Sequence, residues 1–222
     1  MIQPPRSYSH VAWCYDAAAS AYSLGAIARA KRWHVGRVGS GDRVLYLGAG
    51  TGREVAMLCA AQPGAEVVCV EPCAAMAARL RRRLTRWTDR VTIIEEPLSE
   101  GVGGGAFDWV CGHFFFNVFD AAAMPRVVAM AASHVKPGGR MVFADFMPGG
   151  CSTTQRVLRS AYYRPLNLVG WGLGMCALHP IYDYAPVATG LGFEIEARIG
   201  LAVLPGTPAL YEVICARKKQ DG

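Results

Sequence analysis

The chain has 222 residues, of which 52% are apolar and 18% charged, and its net charge is 23 − 17 = +6. These figures exclude an intrinsically disordered chain and supply enough apolar residues for one sizeable core, in a single domain with decorations. Mean hydropathy is +0.20, which leaves three homes for the apolar excess: core, membrane or an apolar ligand.

The first ten residues, MIQPPRSYSH, contain no apolar stretch of the kind a secretory signal needs. Residues 11–37 are Ala-rich with a basic end (Arg29, Lys31, Arg32, Arg37) and read as helical. Ser40-Gly41-Asp42 is a turn, and Arg43–Leu47 is a short apolar strand that runs into the glycine loop Gly48–Gly52. Arg53–Ala61 is a helix stopped by Pro63-Gly64, and Glu66–Val70 is the next strand. Cys73–Arg86 reads as an amphipathic helix, with Ala74, Ala77, Ala78 and Leu84 on one side and Arg79, Arg82, Arg83 and Arg86 on the other.

The alternation continues with a strand at Val91–Ile94, a flexible Gly101–Gly105 loop and a strand at Phe107–Cys111. A helix at Ala121–His134, a Lys136–Gly139 turn and a strand at Arg140–Phe146 follow. The segment 148–183 is apolar and irregular in pattern, and its longest charge-free run, 165–182, is interrupted by Pro165, Asn167, glycines and Pro180. A membrane-spanning helix needs about 20 mostly apolar residues, so no span is expected there. A helix near Ala185–Leu191 and strands at Phe193–Leu201 and Leu210–Arg217 complete the chain. Strands separated by helices imply an α/β fold with a doubly wound, mostly parallel sheet. The last two strands are joined by Pro205-Gly206-Thr207-Pro208 alone and so form a hairpin.

Val44–Leu47 followed by Gly48-Ala49-Gly50-Thr51-Gly52 and a helix is the strongest chemical signal. Glycine lets the backbone approach a ligand, and the helix start presents unpaired N–H groups. The spacing matches neither the dinucleotide fingerprint nor a P-loop. Glu71 stands directly after the next apolar strand, where an acid can accept both hydroxyls of a ribose.

With these residues the chain resembles the class I S-adenosylmethionine (SAM) methyltransferases over roughly residues 8–217. VLYLGAGTG is similar to the first motif of that family, and VVCVEP to its second. VTIIEEPLSE occupies the place of the adenine-side acid, filled here by Glu95 or Glu96. FDWVCGHFFFNVF and HVKPGGRMVFADF look like the fourth and fifth motifs, and YEVICARK like the last strand, which in the family inserts antiparallel between its neighbours. The chain departs from the pattern at Tyr46, where the family often has an acid that organises the methionine end, and at Glu96 in place of the usual Asp.

The resemblance implies a Rossmann-like seven-stranded sheet with an antiparallel C-terminal hairpin, an N-terminal helical cap over 1–39 and a lid insert over 148–183. It implies SAM as cofactor, with Gly48, Ala49, Gly50, Glu71, Pro72, Met76, Glu96, Pro97, Leu98 and His113 around it. The segment Tyr8–Asp16 with Tyr22 is similar to the N-terminus of the quinone and phospholipid methyltransferase branch, which brings Tyr15, Tyr22 and Arg32 toward the methionine end. Tyr162, Tyr163, Leu166, Leu168, Val169, Trp171, Leu173 and Met175 make 148–183 a hydrophobic cap. His179 and Tyr182 at its end, and His113 facing the methyl group, are the candidates for orienting or deprotonating an acceptor.

The expected reaction is therefore methyl transfer to a small or lipophilic acceptor (quinone-, lipid- or amine-like). SAM-dependent transfer of an amino or aminopropyl group and a non-catalytic lipid-binding module are the alternatives. The amide-methylating Asn/Asp-Pro-Pro-Tyr/Phe motif is absent from the fourth-motif region, and no nucleic-acid partner is expected. The arginines between 79 and 90 read as a solvated face, with a peripheral membrane contact as the sharper alternative. Eight scattered cysteines without a CxxC pair read as free thiols of a reducing cytoplasm. Five histidines without ligand spacing give no metal site, and the chain is expected to act as a monomer or homodimer.

Overall fold

In a computed structural model the described residues are 8–10, 12–149 and 152–220. Residues 1–7, Val11, Gly150, Cys151, Asp221 and Gly222 therefore lie outside them. The elements in chain order are α1 (Tyr15–Ser23), α2 (Ala26–Lys31), β1 (Arg43–Leu47), α3 (Arg53–Ala61), β2 (Glu66–Val70), α4 (Ala74–Arg83) and β3 (Val91–Ile94). Then come β4 (Phe107–His113), α5 (Met124–Ser133), β5 (Val135–Phe146), α6 (Thr153–Gly172), α7 (Tyr184–Gly190), β6 (Phe193–Ala202) and β7 (Ala209–Lys218).

The seven strands form one sheet in the order β3-β2-β1-β4-β5-β7-β6. Pairings are parallel from β3 through β5, whereas β7 runs antiparallel to both β5 and β6. The hairpin is thus inserted with its second strand inward, as the resemblance implied. The central strands are buried on both faces, which is why they read as continuous apolar runs rather than as alternating ones. One core layer gathers Leu45, Leu47, Val70, Phe107, Phe116 and Phe143; the opposite layer gathers Val44, Tyr46, Leu58, Cys69, Cys111 and Val142.

Several elements differ from the sequence reading. The helical run over 11–37 is two short helices, because the chain turns left-handed at Leu24 (φ 46°) and Gly25 (φ 80°). The buried face of α4 is Met76, Ala77 and Leu80, with Leu84 just beyond, while Ala74 and Ala78 are exposed. Lys136–Gly139 is no free turn: β5 runs through it, with a register shift opposite Phe107–Trp109.

The largest difference is 153–172, expected to be irregular and found as a 20-residue helix. Ser152 caps it by accepting from the Gln155 amide at 3.2 Å. Pro165 lies inside it and removes one backbone donor. Near that break the Tyr162 carbonyl accepts the Tyr22 hydroxyl at 2.6 Å, and Tyr163 packs against Phe146 at 4.9 Å between ring centroids. Tertiary contacts hold a helix that local propensity would interrupt.

Candidate active site

The site begins where β1 meets α3. Gly48 and Gly52 both have positive φ (63° and 73°). A Cβ on Gly48 would meet Phe115 Cδ2 at 2.8 Å, and one on Gly52 would meet Leu80 Cδ1 at 2.2 Å. Only glycine serves at either place, because the conformation and the space both forbid a side chain. The resulting turn points the backbone of Gly48 and Gly50 into a cavity of about 420 Å³.

Glu71 closes one side of that cavity. Its Oε2 accepts from the Gly50 amide at 2.7 Å and its Oε1 from the Cys73 amide at 3.0 Å. Burial raises its pKa, and the two amides pull in the opposite direction. The glycine loop and the acid after β2 are therefore one unit joined through backbone donors, with further lone pairs left toward the cavity.

The N-terminal elements form the opposite wall. Tyr15 and Lys31 line the same cavity. Lys31 Nζ lies 3.2 Å from Glu54 Oε1, and both side chains are largely buried. Burial alone would depress the Lys31 ammonium and raise the Glu54 carboxyl, but each offsets the other: the lysine stays protonated and the glutamate ionised. Asp16 accepts from Thr51 Oγ1 at 2.8 Å, and Arg83 reaches both residues, at 2.7 Å from Thr51 Oγ1 and 3.2 Å from Asp16 Oδ2. This contact latches α1 to the glycine loop and gives one arginine of α4 a specific partner. Arg81 likewise pairs with Glu95.

A second cavity, about 310 Å³, adjoins the first and shares Tyr8, Tyr15 and Phe114 with it. Its remaining walls are mostly apolar and aromatic, from Tyr22, Phe146, Tyr163, Leu166 and Met175, with Asn117 and Asn167 as the amide groups. Phe114 sits between the cavities in a left-handed conformation (φ 54°), which a non-glycine residue adopts only under tertiary constraint. Its amide still bonds the Ala144 carbonyl at 2.8 Å, so the sheet ladder imposes that geometry. Beneath Asn117 lies the buried Asp145 carboxylate. It accepts from Asn117 Nδ2 (2.8 Å), the Phe146 amide (2.7 Å) and the Tyr184 hydroxyl (2.6 Å). Burial outweighs these donors and raises its pKa to about 7.

The residues singled out in the sequence fall in different places. Gly48, Gly50, Glu71, Pro72, Met76, Tyr15 and His113 all line the first cavity. Ala49 is buried within the loop. Tyr22 lines the second cavity instead. Arg32 is exposed and borders a separate small cleft, while its neighbour Lys31 faces the first cavity; one residue of helix turns a side chain by about 100°. Pro97 and Leu98 line a shallow cleft of about 30 Å³ that shares Pro72, Phe115 and Phe119 with the first cavity, whereas Glu96 is exposed outside it. His179 and Tyr182 line neither of the two large cavities. The His179 ring bonds the Pro180 carbonyl at 2.7 Å and the Asn117 carbonyl, and it stacks on Tyr182 at 4.4 Å. The Tyr182 hydroxyl donates to the Phe119 carbonyl at 3.0 Å.

Lys31, Glu54 and Asn117 are site residues that sequence reasoning missed. Glu54 carried a readable signal: it is an acid in the first turn of the helix opened by the glycine loop. It is a buried acid held against Lys31 on the N-terminal wall of the cavity. Tyr46 bonds His34 at 2.5 Å.

Comparison with known proteins agrees with this geometry. Residues 45–141 match a methyltransferase domain family. A demethylmenaquinone methyltransferase of Thermus thermophilus is 30% identical over 210 residues, covering 93% of this chain and 94% of its own length. The chain belongs to the class I S-adenosylmethionine-dependent methyltransferases, enzymes whose cofactor is SAM. A protein-L-isoaspartate O-methyltransferase of Anaeromyxobacter dehalogenans is 35% identical over 119 residues, and there the match spans about half of each chain (54% of this one, 52% of the relative). Among solved structures, an O-methyltransferase family protein of Burkholderia thailandensis shares the fold, with a TM-score of 0.70 at 20% identity over 90% of this chain and 57% of its own. Among the described residues no helix is long and apolar enough to cross a membrane.

Proposed function

We propose that the protein transfers the methyl group of SAM to a small lipophilic, ring-bearing acceptor of the quinol type. The observation that carries this reading is the pair of contiguous cavities. One has the glycine loop and Glu71 at its wall; the other is apolar, lies beneath α6 and meets the first at Tyr8, Tyr15 and Phe114. The full-length similarity to a demethylmenaquinone methyltransferase supports the same acceptor class.

In this reading Glu71 accepts the ribose hydroxyls, and the Gly48 and Gly50 backbone allows close approach of the cofactor. Lys31, held ionised by Glu54, faces the methionine carboxylate. Pro72, Met76, Pro97 and Leu98 flank the adenine, and Glu96 meets its amino group only after a side-chain rearrangement. Methyl transfer is an in-line displacement in which the sulfonium supplies the reactivity when SAM is bound. The chain's own contribution is alignment and exclusion of water. His113 lines the cofactor cavity and is held neutral by burial, which outweighs Glu54, so it forms an uncharged wall beside the methyl group. His179 and Tyr182 act as positioning residues by holding the segment after α6 against Asn117 and Phe119.

The 148–183 segment serves as the lid. An acceptor of this class partitions into lipid, and exposed Leu168, Val169 and Trp171 beside the second cavity favour its pickup at a membrane surface. The test is incubation of the purified chain with SAM and a demethylated naphthoquinol. The expected result is S-adenosylhomocysteine together with a product heavier by about 14 mass units, one CH₂. Methylation of an isoaspartyl peptide but not of the quinol would overturn the acceptor reading.

A further inference from the structure

The layer of the sheet beneath the cofactor cavity holds a polar cluster that methyl transfer does not explain. Cys111 and His113 are two residues apart on β4 and so point to the same face. Tyr46 is the register partner of Cys111 on β1. The turn after α2 brings His34 over that face, with its ring 4.9 Å from the His113 ring. One ligand atom from each of His34, Cys111 and His113 lies within 4.8 Å of the others, and all three residues are buried.

Their hydrogen bonding is incomplete. His34 Nδ1 and both ring nitrogens of His113 are buried without a hydrogen-bond partner. A buried polar atom left unpaired is costly, and three within one small cluster call for a missing occupant. The surroundings are those of a ligand set. His34 Nε2 is bonded to the Tyr46 hydroxyl at 2.5 Å, and Nδ1 is the ring nitrogen without a partner. His113 Nδ1 lies 3.9 Å from the Glu54 carboxylate, beyond hydrogen-bond distance, so both of its nitrogens are open. A ligating imidazole commonly has its second nitrogen held by an oxygen, as His34 is by the Tyr46 hydroxyl.

We propose that His34, Cys111 and His113 form a buried binding site for a thiophilic divalent cation, with zinc as the best match. A thiolate and two imidazoles are characteristic zinc donors, with Zn–S near 2.3 Å and Zn–N of about 2.0–2.1 Å. Ligand atoms around such an ion stand roughly 3.5 Å apart, so the three side chains close on it by shifts of about 1 Å. On binding, the S–H bond of Cys111 breaks, a Zn–S bond forms and the proton leaves to solvent. The thiolate offsets one of the two charges of the ion, while Glu54 stays paired with Lys31. His113 also borders the cofactor cavity, which provides the route of entry.

The test uses the full chain, purified free of metal and titrated with Co²⁺ and then Zn²⁺. One equivalent of Co²⁺ should give a thiolate-to-cobalt charge-transfer band that Zn²⁺ abolishes by displacement. Cys111→Ala should remove the band and weaken Co²⁺ binding at least tenfold, while SAM affinity stays within twofold. Absence of the band would overturn the proposal and leave the cluster to a bound water. A band that survives in Cys111→Ala would mean an adventitious ion only, held by half-buried thiols such as Cys14 or Cys73. If the variant does not fold, X-ray absorption of the zinc-loaded native chain decides: one sulfur and two imidazoles support the site, and a shell lacking either overturns it.

Discussion

The glycine-loop half of the molecule and the α6 half are built on opposite rules. Around β1, α3 and β2 the apolar residues are inside and the polar groups of the loop face the cavity. In α6 the buried residues are Arg159, Tyr163 and Asn167, one turn apart on the inner face. Arg159 donates to the carbonyls of Pro148 (2.5 Å) and Ala209 (2.9 Å), and Asn167 to that of Ala177 (2.9 Å). The outer face carries Val157, Leu158, Leu168, Val169 and Trp171, each more than 40% exposed. A helix anchored through polar side chains and apolar outside makes its lasting contacts with backbone carbonyls. It presents the apolar surface elsewhere, to the second cavity and to solvent. The first half is specified by apolar packing; the second is specified by polar anchors, with its apolar side chains left on the outer face.

This contrast can be broken or sharpened by experiment. Gly52→Ala should have the largest effect: it forces a left-handed alanine against Leu80, and we expect a loss of about 2–5 kcal/mol in urea unfolding. A loss below about 1 kcal/mol would show that α4 can yield, and the specification of this half by packing would be refuted. Glu71→Ala should weaken SAM binding by about 1–3 kcal/mol, the cost of removing a charged acceptor. Calorimetry checks this, and unchanged affinity would remove Glu71 from the ribose site. Leu166→Ala, on the α6 side, should raise the KM for the acceptor by about tenfold while leaving SAM affinity intact. Equal effects on both ligands would mean that the two cavities are not separate subsites.

Asp145, between the two halves, gives a pH signature. Its folded-state pKa is raised, so between about pH 4 and 7 the folded chain binds more protons than the unfolded one. This group therefore adds stability at low pH that is lost as pH rises through that window. Urea unfolding at pH 5 and pH 7.5 should show the decline, and Asp145→Asn should flatten it; an unchanged slope would mean the group stays ionised. The smallest effect belongs to Leu168→Ser on the outer face of α6, expected to change stability by less than about 0.5 kcal/mol. A larger loss would show that this face is covered by another surface in solution.

The legible part of the site was the part whose chemistry is local. The strand, the three glycines and the acid after the next strand are fixed by short-range geometry, and so is the order of the seven strands' alternation with helices. Lys31 escaped because the phase of a six-residue helix decides between it and Arg32. The helix at 153–172 escaped because Pro165, Asn167 and the glycines oppose a helix locally, while Tyr22, Phe146 and Tyr163 support it from afar.

By itself, then, the amino-acid sequence determined the α/β fold, the glycine loop with Glu71 and an apolar segment after β5. The tertiary structure alone decided that two cavities meet at Phe114, that Glu54 pairs with Lys31, and that His34 meets Cys111 and His113. The physical reason is reach. Backbone conformation and strand period depend on neighbours a few residues apart, whereas His34 and His113 are brought together only when α2 docks on the finished sheet.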